Sequence, residues 1–229
     1  MMPKRFRRLI FIVAVVSFSL AALSCGLINA EETSEVRQIR QIAVMPVFKG
    51  KKPDKAPTLM ICPLGRICTE AERLADGAES TMTATLQKAM AERYAGRVID
   101  QEKAAASYNT QAGKLDEVTP MDLAIRLGKD LNAGYVLVGN VWRFTERSGG
   151  PIGTAKPASV AFDLHLIDVA RGATIWEGSF DKVQQALSDD LFKAGDFIKQ
   201  GGRWLTAGEL ALFGARETIK NMPIPAAGK

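Results

Sequence analysis

The chain has 229 residues, of which 24% are charged and 47% hydrophobic, with three cysteines and a formal net charge of +5. Residues 1–24 hold four basic side chains and no acidic one, so the formal charge of the remaining chain is only +1. This balance excludes a typical nucleic-acid-binding protein, which needs a basic surface. The remaining chain is long enough for one domain with a substantial core.

The amino terminus has the order of an export signal. Four basic residues, Lys4 to Arg8, precede an apolar stretch from Leu9 to Leu23, which is shorter than the ~20 residues of a membrane anchor. The next residues, "ALSCG", resemble a bacterial lipobox, in which a signal peptidase cuts before a cysteine that carries a diacylglycerol. We expect a signal peptide over residues 1–24 and lipid, with palmitate among the acyl chains, on Cys25. A cut after Ala30, which would release a soluble periplasmic protein, stays open.

Residues 25–38 are polar and predict an acylated tether, with a maximal span of roughly 45 Å. Ile39–Phe48 is a nearly continuous apolar run and predicts a strand buried on both faces. Lys49–Arg66 contains three prolines and predicts a loop insertion. In an oxidising compartment, Cys62 and Cys68 favour a disulfide, while free buried thiols and, least, a metal site remain as alternatives.

A helix is predicted from Thr69, with Glu72 completing a capping box. Its apolar stripe recurs every four residues, at Leu74, Ala78, Met82, Leu86, Met90 and Tyr94. A short strand over Gly96–Asp100 and a short helix over Gln101–Ser107 follow. The next helix has Thr119 as its cap and Pro120 in its first turn, with Leu123, Leu127 and Leu131 on its inner face.

Tyr135–Phe144 predicts a third strand, and the order of strands and helices up to this point implies parallel pairing. The pattern then changes to strict alternation from Val160 to Ile167, a turn around Gly172 and a strand over Thr174–Phe180, which together predict an antiparallel hairpin. The glycine-rich Ser148–Lys156 lies before this hairpin as a long hairpin tip and a possible contact loop. Two helices, Leu187–Lys199 and Thr206–Asn221, close the chain.

The candidate chemical groups do not form a catalytic set. His165 is the only histidine, and its place in mid-strand is more typical of a surface or satisfied residue than of a relay. Carboxylates near the hairpin are expected to be solvated, namely Asp163, Asp168, Glu177 and Asp181. Trp142 and Trp176 are expected to pack in the sheet, whereas Trp204, beside Arg203, is a candidate partner contact.

Four segments together resemble a known α/β domain: "IAVMPV", "LQKAMAERYAGRVID", "AIRLGKDLNAGYVLVGNV" and "VAFDLHLIDVARGATIWEGSFD". The domain is shared by the CsgG and LpoB families and the amino-terminal domain of TolB. The resemblance runs over 39–181 and leaves 182–229 as a helical extension, similar to that of other bacterial lipoproteins with this domain. It implies a mixed five-stranded sheet, parallel in its first part and antiparallel in its hairpin, flanked by helices, with no cofactor.

The sequence therefore predicts a mixed α/β protein that is lipid-anchored in the cell envelope and acts as a binding or assembly module, not an enzyme. Gly26 after Cys25, in place of Asp, predicts sorting to the periplasmic face of the outer membrane. A CsgG-like channel subunit is the alternative, although the region between Arg143 and Ser159 is polar and unlike a membrane-inserting segment. The tether is shorter than the LpoB stalk. An envelope protein partner is expected, and homo-oligomers are possible.

Overall fold

The computed structural model describes residues 40–50, 60–61, 64, 67–68, 74–112, 119–149, 154–184 and 204–226, all within the compact unit Arg40–Lys229. Its main sheet has five strands: β1 (Ile42–Val44), β2 (Phe48–Lys49), β5 (Tyr135–Thr145), β8 (Ser159–Asp168) and β9 (Ala173–Val183). Two short antiparallel ribbons, β3 (Met60–Ile61) with β4 (Ile67–Cys68) and β6 (Ser148–Gly149) with β7 (Thr154–Lys156), lie in the connections. The described helices are α1 (Ala78–Arg93), α2 (Gln101–Ala112), α3 (Pro120–Asp130) and α4 (Ala207–Ile219).

The sheet is mixed, as the sequence predicts. β1 and β2 pair with β5 in parallel, and β5, β8 and β9 then form an antiparallel series in the order β1-β5-β8-β9. β5 is therefore an inner strand, and all of its residues from Val136 to Phe144 are buried. The predicted strand at Gly96–Asp100 is reduced to one parallel bridge between Val98 and Ile42.

The helices form a layer on each side of the sheet. α1 and α4 pack over the face that contains Leu137, Phe162 and Leu164, while α2 and α3 cover the face that contains Val136 and Ile167. The predicted stripe of α1 is confirmed, because all of its described members are buried. This apolar face, rather than helix propensity, accounts for most of the stability of such a helix.

Two predicted boundaries are wrong. The strand predicted over Ile39–Phe48 is divided into β1 and β2, because Pro46 between them has no backbone N–H for the ladder. α1 starts at Ala78, not Thr69, because Gly77 precedes it in the left-handed region at φ 74°. Thr69 and Glu72 themselves lie outside the described residues.

Local capping signals fix the starts of α3 and α4. The Thr119 hydroxyl accepts a hydrogen bond from the backbone N–H of Asp122 at 3.1 Å, with Pro120 in the first turn, as predicted. α4 starts with a full capping box, in which Thr206 Oγ1 accepts from the Glu209 N–H and the Glu209 carboxylate accepts from the Thr206 N–H. The first N–H of α4 donates to Glu146 at 3.0 Å, which joins the helix to the chain just after β5.

α4 also packs on the sheet through its buried apolar face. Leu210, Ala211 and Ala215 are buried in the same core as Phe162 and Phe180. The carboxyl-terminal segment thus packs on the sheet directly. The predicted helix over Leu187–Lys199 lies outside the described residues.

Candidate functional site

An ionic cluster lies on the face of the sheet that α2 and α3 cover. Alternation along β8 places Asp163 and His165 on the same side as Ile167, and they are only 2% and 3% exposed. His165 Nε2 lies 3.8 Å from Asp163 Oδ1, and Nδ1 lies 3.5 Å from Glu177 Oε1 on β9. The only imidazole of the chain therefore lies between two carboxyl groups.

A second ion pair lies next to it, between buried Arg143 on β5 and exposed Asp181 on β9. A buried charge is costly unless an opposite charge or hydrogen bonds compensate it. The pairing across three strands supplies that compensation. It also fixes β9 against β8 and β5 through side chains as well as through the backbone ladder.

The sequence expectation for these carboxylates is wrong in part. Asp163 and Asp168 are buried rather than solvated, because β8 lies between β5 and β9 and both of its faces are covered. Glu177 and Asp181 remain exposed, since they lie on the last strand of the sheet. Sequence alternation alone did not reveal this burial, because it depends on which strands pair.

The cluster does not have the composition of a nucleophilic relay. Such a relay needs a hydroxyl or thiol within about 3 Å of the imidazole, whereas the neighbours recorded for His165 among the described residues are both carboxylates. Within the described part of the chain, no group of three or more His, Cys, Asp or Glu side chains could hold a metal ion. The arrangement fits a structural cluster of polar side chains on the sheet.

β9 is the outermost strand of the sheet in the described structure. It pairs with β8 on one side, no described strand pairs with its other side, and most of its residues are at least partly exposed. Val183, at its end, is 48% exposed, and among the described residues it is the only exposed large hydrophobic side chain. Edge strands present backbone groups that can pair with another chain, and an exposed apolar side chain beside one is typical of a contact surface.

The predicted contact residue Trp204 lies at this same end of β9. The Gln184 side chain accepts a hydrogen bond at 2.7 Å from the N–H of Leu205, which brings the residue after Trp204 next to the residue after Val183. Trp204 is half-buried. We call Val183 and Trp204 the distal corner, because it lies at the end of β9 opposite to the point where the chain enters the unit.

Other predicted site residues cannot be placed. Cys25, Cys62 and Arg203 lie outside the described residues, and of Cys68 only the backbone is described, in β4 opposite Met60. The lipid attachment and the disulfide therefore stay predictions. Trp142 is buried and Trp176 packs against the core, as predicted. Among the described helices, none combines the length and apolar character needed to cross a membrane.

The entry point of the unit carries a set of cations that sequence reasoning missed. Arg40 Nη1 donates to the buried Asp168 carboxylate at 3.2 Å, and the backbone N–H of Arg171 donates to the other carboxylate oxygen at 3.0 Å. Arg97 donates to the carbonyls of both Arg40 and Pro225. These residues are far apart in sequence, so no local motif points to them.

A surface cleft of about 330 Å³ lies between α1 and α4 near the same entry point, lined by Ala89, Glu92, Arg93, Arg216, Ile219, Lys220 and Ala226. Arg216 donates two hydrogen bonds to Glu92, each at 2.8 Å. These bonds hold the pKa of Glu92 below its usual value and raise that of Arg216. The pair is neutral overall and links α1 to α4.

Comparison with known proteins gives one family. The sequence model of the family described as peptidoglycan-synthase activator LpoB matches residues 78–181, just under half of the chain. No curated protein matches the chain in sequence.

Among solved structures, the PelC dodecamer from Paraburkholderia phytofirmans is similar, with 14% identity, 79% of this chain and 85% of that chain covered, and a TM-score of 0.44. Lipoprotein GNA1162 from Neisseria meningitidis has 15% identity, coverage of 71% and 95%, and a TM-score of 0.42. The LpoB carboxyl-terminal domain from Salmonella enterica has 18% identity, coverage of 63% and 83%, and a TM-score of 0.37. These values are too low to carry a functional argument. Of the three families that the sequence resembles, the match supports LpoB, and the segment 78–181 is LpoB-like.

Proposed function

We propose that this chain is a non-catalytic binding module of the bacterial envelope, anchored by lipid on Cys25, that contacts and activates a peptidoglycan synthase. The observation that carries the proposal is the match of residues 78–181 to the LpoB family. The matched segment starts at the first residue of α1 and ends within β9, so it includes α1 to α3, β5, β8 and most of β9. The channel alternative gains no support from this match.

The anchoring part of the proposal rests on sequence. The export signal, Cys25 and the following Gly26 favour a protein on the periplasmic face of the outer membrane. Intact mass spectrometry of the membrane-extracted protein tests this. We expect a chain that begins at Cys25 and carries acyl groups, with the lipid lost in Cys25→Ala. A lipid-free chain that begins at Glu31 would instead mean a soluble periplasmic protein.

The distal corner is the contact surface that we propose for the synthase. Val183 and the half-buried Trp204 lie at the end of an edge strand, which offers both an apolar anchor and backbone groups. Arg203, next to Trp204 in sequence, adds a cation to the proposed contact. The occupant is a protein surface on the periplasmic part of the enzyme, because only that part can be reached by an exported, tethered domain.

The experiment measures glycan-chain polymerisation by purified peptidoglycan synthases of the same cell, with and without this protein. We expect a several-fold increase in rate, and Val183→Asp should raise the half-maximal concentration about ten-fold or more. Ala173→Asp is the matched control, because it adds the same charge at an exposed position at the other end of β9. Thermal unfolding of both variants confirms that they fold.

Two results would overturn the proposal. No stimulation of any synthase, with a correctly folded protein, would remove the activator function. Equal loss in the two variants would remove the distal corner as the contact. Ring-sized particles in detergent, measured by light scattering, would favour the channel alternative, whereas a monomer or dimer would count against it.

A further inference from the structure

A basic surface surrounds the point where the chain enters the folded unit. Its members come from four separate segments: Arg40, Arg93, Arg97, Arg171 and Lys220. We call this set the entry surface. The side chains of Arg171, Lys220 and Arg40 are 75%, 56% and 49% exposed. Strand pairing brings Arg40, just before β1, close to the turn after β8 that carries Arg171.

The carboxylates next to the entry surface do not neutralise it. Asp168 is buried and faces both Arg40 and Arg171, and Glu217 pairs with Lys220. The neighbouring Glu92 is matched by Arg216. Among the described residues, five cations therefore meet two carboxylates, which leaves an excess of positive charge in a chain whose predicted mature form is almost neutral.

Internal contacts hold this surface in shape. The guanidinium groups of Arg93 and Arg97 lie 5.6 and 5.8 Å from the centre of the Tyr94 ring. Arg93 donates to the carbonyl of Lys220 at 2.9 Å, while Arg97 bonds the carbonyls of Arg40 and Pro225. The guanidinium groups thus interact with neutral partners, carbonyl oxygens and an aromatic ring, so they keep their positive charge. The charge is thus fixed to the fold and is not carried by loose side chains alone.

We propose that the entry surface binds the anionic phospholipid headgroups of the membrane to which the chain is tethered. The setting of this proposal rests on the lipid anchoring proposed above. The fifteen residues from Cys25 to Ile39 can span at most roughly 50 Å. The side of the unit that holds Arg40 is therefore kept near the membrane, and charge attraction acts over about 10 Å at 0.1 M salt.

We choose lipid headgroups as the occupant because their negative charge complements the positive charge of the entry surface. Each Lys or Arg near an anionic bilayer strengthens its binding by about five-fold, so a few cations at the entry point make a measurable difference. The distal corner lies at the opposite end of β9. Binding at the entry surface would therefore turn the distal corner away from the membrane and towards a periplasmic partner.

The test is sedimentation of the predicted mature chain, residues 25–229 carrying Cys25→Ala, with phospholipid vesicles, because the four cations and the apolar stretch of residues 1–24 would themselves bind anionic lipid. Neutral phosphatidylcholine vesicles are compared with vesicles that contain phosphatidylglycerol, and the difference between them is the measured quantity. We expect binding to the anionic vesicles that falls about twenty-five-fold in the double variant Arg171→Gln with Lys220→Gln, and that weakens as salt rises. Both side chains are exposed, so the variant should fold.

The matched control is Lys49→Gln with Lys103→Gln, which removes two exposed cations elsewhere and leaves the same net charge. Its binding should change less than two-fold. An equal loss in both variants would refute the entry surface in favour of net charge alone. No preference for anionic vesicles would refute it as well.

Two other occupants give distinct results. Binding of the protein to isolated cell-wall sacculi is measured in the same way. If the Arg171→Gln, Lys220→Gln variant binds sacculi less well but binds vesicles normally, the surface binds wall polymer and the proposal fails. If vesicle binding appears only after Glu31, Glu32 and Glu35 are changed to Gln, the acidic tether is the occupant of the surface and the proposal fails as well. Because the chain in this test is not acylated, its outcome is independent of the mass measurement on Cys25 and of the synthase assay.

Discussion

The contact between α4 and β9 can be tested with a single methyl group. Gly214 lies on the buried side of α4, and a Cβ placed on it would be 2.6 to 2.7 Å from three ring atoms of Phe180. The ring cannot simply move away, because it stacks on Phe162 at 5.4 Å between centroids and meets Phe213 edge-on at 6.4 Å. Gly214→Ala must therefore move the helix outwards by roughly 0.8 Å to reach ordinary contact.

The magnitude follows from two opposing terms. Overpacking of a well-filled core costs about 1 to 3 kcal/mol. Alanine in place of glycine inside a helix raises the free energy of unfolding by about 0.8 to 1 kcal/mol, because alanine has the higher helix propensity. We expect a net loss of about 1 kcal/mol in the free energy of unfolding, which corresponds to a decrease in Tm of about 2 to 4 °C for a domain of this size.

Gly208→Ala is the matched control. It makes the same change in the same helix, but nothing lies within 4 Å of its Cβ, so it should leave Tm unchanged or raise it slightly. Urea denaturation followed by circular dichroism of both variants measures the difference. If Gly214→Ala stabilised the protein as much as Gly208→Ala, the close approach of α4 to Phe180 would be wrong.

Three further predictions concern the ionic contacts and the thiols. His165→Gln should lower the free energy of unfolding by about 1 to 3 kcal/mol, because it removes the buried imidazole that lies between Asp163 and Glu177, but synthase stimulation by the folded variant should stay normal. Loss of stimulation with unchanged Tm would refute a structural role. Glu92→Gln should cost at most about 1 kcal/mol at pH 7. Since the folded-state pKa of Glu92 is lowered, the difference from wild type should start to shrink as pH falls below the ordinary value of 4.5 and should vanish below the folded-state pKa. A difference that persists at pH 2 would contradict the pair with Arg216. Unreduced peptide mapping should join Cys62 to Cys68, and two alkylated thiols would contradict the predicted disulfide.

Local signals in the sequence were sufficient where the structure depends on neighbouring residues. Thr119 and Pro120 predict the start of α3 because a cap acts within one turn. The four-residue stripe predicts the buried side of α1 for the same reason. Pro46 carries a signal that could have divided the first strand, since a residue without an N–H interrupts a ladder wherever it stands.

The candidate sites depend on contacts between distant segments, so they could not be read from the sequence. Alternation along β8 assigns its side chains to two faces. It does not predict that Asp163 and His165 are buried, because their burial depends on the position of β8 between β5 and β9 and on the layer that covers this face. The entry surface likewise joins Arg40 to Arg171 through strand pairing and to Arg97 through a backbone carbonyl. Such sets are defined by topology and not by spacing along the chain.

Arg97 donates hydrogen bonds to the carbonyls of both Arg40 and Pro225. These two positions, far apart in sequence, are therefore neighbours, joined through one guanidinium group. A pulling force applied to the chain at Arg40 would act first on this junction and on the segment around Pro225, before it reached the ladder between β1 and β5. A short connection between these two positions would not have to cross the core of the unit.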